Sequence, residues 1–476
     1  MSSSKRTAAC VALILCLLAV PGCRGSATKA HAPKPNVILY VIDGAAAERM
    51  SVYGYERRTT PYLELLAAEG AVFDNAYSNS SFTKTSVPSF MTSLHSSVLG
   101  GYRSATDPLP GSAVTMAERM RQAGYTTEVL TSNPYCGRIS SLDRGVDIMR
   151  DTEAAETRPS SADLGREFWR LREVHPAEPF WVHFQSTDVH RPWNAGDRLA
   201  GLRSTLDTMQ ILDEPVDEPS DGPDRARLAR MAGDLYDEGM AFQDRSLGRL
   251  VDRLKGSGEW GRTLFVVAAD HSSFAAGLPF DGPGAPRWAA PVLASHKSHI
   301  PLVFVWPGKI APGRRLTEQV SMIDVLPTIL DLAGLPPLET AQGRSLAPLL
   351  LKKRGWKPRP VVFDEFYTDG EYLWGSVEVI DGRWGASLRI DTRPDGQRPP
   401  RERLRPAPLL VFDVEKDPHA LKSLHEMRPD LAAKYSTMLE RIWSEHRVLA
   451  KKFSRTDAKP LTREKAEALR SLGYIR

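Results

Sequence analysis

The stretch "NVILYVID", residues 36–43, decides the architecture. Apolar and β-branched residues run without polar alternation up to Asp43, which is the pattern of a strand covered on both faces of a parallel sheet. Three later runs have the same character: "PFWVHFQSTDVH" (179–190), "RTLFVVAADH" (262–271) and "IPLVFVWPG" (300–308). Between them lie helical patterns. "TPYLELLAAEG" (60–70) reads as an amphipathic helix closed by Gly70, and "VTMAERMRQAGYTTEVLTSN" (114–133) as a helix, a stop at Gly124 and a strand. This alternation predicts an α/β fold built on a doubly wound, mostly parallel sheet. Ligands in such sheets bind beyond the carboxyl ends of the strands. Three runs end in candidate ligands: Asp43, Asp188 with His190, and Asp270 with His271. One charged strand end is an ordinary loop carboxylate, whereas three of them beside an oxygen-rich helix start point to a metal site.

A chain of 476 residues exceeds one ordinary core, so a large and an appended part are expected. Its 62 basic and 58 acidic residues nearly balance, which leaves no electrostatic footprint for nucleic acid. The start, "MSSSKRTAACVALILCLLAVPGC" (1–23), has a basic end at Lys5 and Arg6 and an apolar run too short to span a membrane. That is the form of an export signal. Its end at Gly22-Cys23 resembles a bacterial lipobox, which makes Cys23 the expected lipid-bearing residue and places the protein on the exported, membrane-anchored side of a bacterial envelope. Residues 24–34 read as a tether. Of four cysteines, Cys10 and Cys16 leave with the signal, so Cys136 has no disulfide framework to join.

The sequence divides into a catalytic part, 35–357, and a C-terminal α+β subdomain, 358–476. In the latter, "PVVFDEFYTDGEYLWGSVEVIDGRWGASLRID" (360–391) reads as antiparallel strands turning at Asp369-Gly370 and Asp381-Gly382, followed by a long helix from Pro429. The acidic, proline-rich segment 213–225 reads as a solvated loop.

"SSFTKTSVPSFMTSLHSSVLGG" (80–101) crowds hydroxyls before an apolar helical run. By residue type alone this is a helix start, with hydroxyls serving the first-turn N–H groups and Pro88 expected within that turn. The order of motifs along the chain resembles the sulfatase family of the alkaline phosphatase superfamily. The resemblance runs through "PNVILYVID", "YGYERRTTPYLELLAAEGAVFDNAYS", "AADHSS", "VSMIDVLPTILDLAGL", "GRSLAPLL", "LLVFDVEKDP" and the terminal "LRSLGYIR". The family carries its nucleophile in the pattern Cys/Ser/Thr-x-Pro-Ser-Arg. Laid over Ser86-Val87-Pro88-Ser89-Phe90, the pattern makes Ser86 the nucleophile and Ser89 its helix-start neighbour. The resemblance implies one divalent cation held by Asp43, Ser86, Asp270 and His271. Calcium is the expected ion; manganese, zinc and magnesium are the alternatives that an imidazole ligand admits. His190 and Lys297 lie over the residues that hold the ester anion or protonate the leaving oxygen, and Asn133 is placed to point into the same cleft.

Three departures qualify the resemblance. Gly44 stands in place of a second aspartate, Phe90 in place of the arginine, and His95-Ser96 in place of the usual Thr-Gly. That arginine belongs to the signal for oxidising Cys or Ser to formylglycine, so an unmodified hydroxyl is expected. The expected activity is hydrolysis of sulfate esters carried by a glycan, lipid headgroup or small molecule. The alternatives are hydrolysis or transfer at phosphate or phosphonate esters, and anion or glycan binding without turnover. His296 and His299 are expected to make local polar contacts.

Overall fold

The computed structural model describes residues 34–151, 158–174, 176, 179–190, 223–273, 291–369, 371–397, 409–454 and 460–471. The signal, Cys23 and nearly all of the tether lie outside them, as does the acidic segment up to residue 222. Lys34–Arg476 form one compact unit.

The central sheet has eight strands: β1 (Asn36–Ile42), β2 (Ala71–Tyr77), β3 (Thr126–Thr131), β4 (Ile148–Arg150), β5 (Phe180–Ser186), β6 (Thr263–Ala268), β7 (Leu302–Val305) and β8 (Arg314–Ser321). Their spatial order is β4-β3-β5-β1-β6-β7-β2-β8. β1 is central, parallel to β5 on one side and β6 on the other. All seven of its residues are buried, as a run with no polar face requires. β7 runs antiparallel to β6 and β2, which makes the sheet mixed. Helices α1 (Pro61–Ala68), α2 (Thr83–Thr92), α3 (Ser96–Leu99), α4 (Met116–Gln122), α5 (Ser161–Val174), α6 (Pro223–Ser257), α7 (Ser295–Ser298), α8 (Val325–Leu332) and α9 (Ala347–Leu350) accompany it. The last residues of the predicted solvated segment, from Pro223, belong to α6.

A second, antiparallel sheet has the order β12-β11-β10-β9, built from β9 (Val361–Asp369), β10 (Tyr372–Asp381), β11 (Trp384–Asp391) and β12 (Leu409–Asp413). One face packs Val377, Val379 and Val411 against Leu431, Tyr435 and Leu439 of α10 (Pro429–Ala450). The other packs Val361, Phe363 and Ile380 against Val292 and Leu293, in the segment leading to α7.

β9 joins the two sheets through adjacent carboxylates. Asp364 accepts the Ser96 and Ser97 amides at 3.0 and 2.8 Å, at the start of α3. Glu365 accepts the Ser81 amide at 3.1 Å and its hydroxyl at 2.5 Å, and Tyr367 donates to it at 2.5 Å. Ser81 is spent on Glu365 and Ser80 Oγ lies 2.6 Å from Thr85 Oγ1, and the helix has no side-chain cap: Phe82, extended at φ −144°, occupies the cap position. This corrects the expected helix start. α2 begins at Thr83 and Pro88 lies inside it. The hydroxyls beyond the first turn serve the helix's own carbonyls, Ser89 on Thr85 at 2.7 Å and Thr92 on Pro88 at 2.8 Å.

Phe90 faces the sheet, fully buried, with its ring edge-on to His183 of β5 at 6.0 Å between centroids. Phe90→Ala should cost about 3–5 kcal/mol in urea unfolding, because a full aromatic volume is left empty. Phe90→Arg should be at least as damaging, since it buries an unpaired cation.

Candidate metal centre and reacting hydroxyl

Asp43 follows β1 and Asp270 follows β6, the strand beside it, so pairing of two parallel strands brings both carboxylates to one edge. Asp43, Asp270 and His271 form a buried group whose ligating atoms all lie within 4.8 Å of one another. Both carboxylates are fully buried. Asp270 Oδ1 accepts the Gly44 and His271 amides, each at 3.0 Å. Asp43 Oδ2 accepts from Asn133 Nδ2 and Gln185 Nε2, each at 2.7 Å. Asn133 thus reaches the centre from the end of β3, as its position suggested.

Burial, then the charge of Asp270, push the Asp43 carboxyl up to about 7, against the opposing effects of His271, Gln185 and Asn133. Burial pushes Asp270 up to about 6, opposed by bonds from Gly44, Thr83 and the His271 amide. The remaining oxygens, Asp43 Oδ1 and Asp270 Oδ2, accept no hydrogen bond among the described residues. Orphaned carboxylate oxygens in a buried cluster fit a bound cation, which supplies the charge that burial denies them. His271 completes the fit: Nδ1 lies 3.2 Å from the Ser272 carbonyl, which can only accept, so the proton sits on Nδ1 and Nε2 carries the lone pair.

Gly44 is not an open place for a second carboxylate. Its φ is +71°, and a Cβ there would meet Ser273 Oγ at 2.5 Å. Ser273 donates to the Gly44 carbonyl from both its hydroxyl and its amide, at 3.0 and 3.2 Å.

The third strand-end pair stands apart. Asp188 accepts the Ser161 amide at 2.9 Å, holding the first turn of α5, and neither it nor His190 belongs to the buried cluster among the described residues. His190 lies in the turn after β5, its amide bonded to the Thr187 carbonyl at 3.1 Å. Lys297 lies on α7, where its carbonyl accepts the Ser272 amide at 3.0 Å, so its backbone adjoins the loop carrying His271. His299 Nε2 meets the Asp74 carbonyl at 2.9 Å, and the His296 ring faces His419 at 5.5 Å.

The hydroxyl in contact with the cluster is Thr83, which the sequence reading passed over. Thr83 Oγ1 lies 3.1 Å from His271 Nε2, beside Asp270. Ser86 lies one turn further along α2, where its buried Oγ finds no partner among the described residues.

The sheet thus carries a possible metal-binding cluster at its strand ends. A family model described as Sulfatase matches residues 35–335, and the chain belongs to the sulfatase family, which comprises sulfuric ester hydrolases. An arylsulfatase of Clostridium perfringens is 23% identical, with 82% of this chain and 90% of that protein covered. Two solved structures share the fold. The phosphonate monoester hydrolase of Silicibacter pomeroyi has a TM-score of 0.66 at 17% identity, covering 87% of this chain and 96% of its own. BT4656 in complex with its substrate D-glucosamine-2-N,6-O-disulfate has a TM-score of 0.63 at 18% identity, covering 88% and 98%. The family implies a divalent metal, and the buried cluster is a possible set of ligands for it.

The fold also shows a second register for the family's nucleophile pattern. Started at Thr83, the pattern keeps the reactive position and its serine, Ser86, and places Thr85 and Val87 where proline and arginine would stand. The following Thr-Gly then falls on Thr92-Ser93, and Ser93 has φ 57°, the left-handed conformation that glycine favours.

Asp270→Ala should abolish binding of the divalent ion, read by elemental analysis and by loss of the metal-induced rise in Tm. The pH dependence has a defined sign. Carboxyls raised above their unfolded values favour the fold while protonated, so the metal-free protein should lose stability as pH rises from about 4 through 7. Metal affinity should rise over the same interval, because ligation requires the deprotonated carboxylates. Calorimetric metal titrations at pH 5.5 and 7.5 check this.

Proposed function

We propose that the protein hydrolyses sulfate esters of an organic leaving group, with Thr83 as the attacking hydroxyl. The observation that carries the assignment is the 3.1 Å contact of Thr83 Oγ1 with His271 Nε2 of the buried cluster, at the first residue of α2. Asp43, Asp270 and His271 would hold one divalent cation, with Thr83 completing the shell in place of Ser86. When bound, the cation polarises the ester oxygens and favours ionisation of the hydroxyl. Oxygen donors admit calcium, the family's expected ion, and the imidazole admits manganese or zinc; a titration with each ion decides.

The chain's own residues account for the remaining steps. Thr83 loses its proton to solvent, and Oγ1 bonds to sulfur as the ester S–O bond breaks. The leaving oxygen takes a proton from His190 or Lys297. Water then attacks the sulfated threonine, releases sulfate and restores the hydroxyl. Threonine cannot become formylglycine, because its Cβ bears a methyl group and loss of two hydrogens gives a ketone. This supports a second reading, direct attack on phosphate or phosphonate esters, which is also the chemistry of the similar Silicibacter enzyme. The substrate of BT4656 supports a sulfated sugar as one leaving-group class to test.

Assays on aryl sulfate, sulfated glucosamine, phosphate mono- and diester and phosphonate panels test the proposal. Thr83→Ala should lower kcat by about a thousandfold or more, as loss of a nucleophile does, and Ser86→Ala should stay within about tenfold of wild type. The reverse ranking would return the nucleophile to Ser86, and no turnover on any panel would leave an anion-binding protein.

The export signal and Gly22-Cys23 support an envelope location with a lipid on Cys23. Acyl chains anchor through burial of roughly 0.8 kcal/mol per CH₂. Cys23→Ser should move the protein from the membrane pellet to the soluble fraction; sedimentation unchanged by the substitution would refute lipidation there.

A further inference from the structure

Asn133 and Gln185 have no place in the reaction itself, yet both donate at 2.7 Å to one oxygen of Asp43. All three residues are fully buried. They come from three adjacent strands: β1 ends at Asp43, Gln185 lies within β5, and Asn133 follows β3. Each amide is held from behind. The Gln185 carbonyl oxygen lies 3.2 Å from His183 Nε2, and the Asn133 carbonyl oxygen accepts the Tyr135 amide at 2.9 Å. An amide whose oxygen is occupied by a donor must turn its NH₂ the other way, here toward Asp43 Oδ2.

We propose that Asn133 and Gln185 are positioning residues that fix the Asp43 carboxylate, so that Oδ1 alone is presented to the divalent cation. The proposal rests on the metal reading of the cluster and deepens it. The need arises at position 44. With Gly44 in a left-handed turn and Ser273 Oγ in the way of any side chain there, β1 offers one carboxylate and not two. A lone carboxylate is free to rotate about its Cβ–Cγ bond or to offer both oxygens. Two rigid donors on Oδ2 remove that freedom, and donors behind a ligand set its orientation and its affinity for the ion.

The test uses the full chain stripped of metal by a chelator and titrated calorimetrically with MnCl₂ and with CaCl₂, without substrate. Gln185→Met keeps the length and removes the donor. Asn133→Asp keeps the acceptor for Tyr135 and replaces the donor with an oxygen. Each should weaken binding of the ion about 10- to 100-fold. The double variant should lose less than the product of the two, because both act on the same oxygen. A variant that folds and binds within twofold of wild type, whatever its Tm, overturns the proposal and leaves the amides a structural role. Should one variant fail to fold, the other decides by the same criterion. Wild-type protein that binds neither ion would refute the metal reading, and the positioning role with it.

Discussion

Two carboxylates that are completely buried, on neighbouring strands, set the terms for everything around them. Burial alone penalises each charge, and the charge of Asp270 penalises Asp43 further. Such a pair persists only when the fold supplies donors on one side and a counter-charge on the other. The donors are amides from β3, β5 and the Gly44 turn, all fixed by strand pairing. On the other side stand the start of α2 and the imidazole of His271, with two carboxylate oxygens left for a cation. The site is therefore a product of strand order: moving β5 or β3 away from β1 would strip Asp43 of its partners before it altered any reacting group.

The parts of this arrangement that could be read in the sequence are those in which burial dictates residue type. β1, β5, β6 and β7 are runs with no polar face, and the Asp381-Gly382 turn joins β10 to β11 with Gly382 at φ 62°. The direction of β7 could not be read, because a strand buried on both faces looks alike in either orientation. Asp43, Asp270 and His271 were legible as charges at the ends of apolar runs. Asp188 had the same signature, but it serves the amide of Ser161, and nothing local to residue 188 announces a helix start 27 positions away. Gln185 was the opposite case, a polar residue in an apolar run that passed for part of a strand. An unpaired polar side chain in such a place always needs a partner, and here the partner is Asp43.

The hydroxyl proposed here to react, Thr83, was not the one the family's pattern first selected, and the reason is identifiable. Pro88 drew the family's pattern onto Ser86, since a proline beside hydroxyls suggests a first helical turn. The helix starts at Thr83, just after Ser81, whose amide and hydroxyl Glu365 accepts. That contact is invisible locally. The signal available in the sequence was the later Thr92-Ser93 pair, which keeps the pattern's spacing only when it begins at Thr83.

The Glu365 contact also bears on how the protein is made. Ser81 and Glu365 are 284 residues apart. The Glu365 contact can close only after β9 has been synthesised, long after the central strands can begin to associate. A chain that stops short of β9 lacks the carboxylate that holds Ser81, two residues before Thr83.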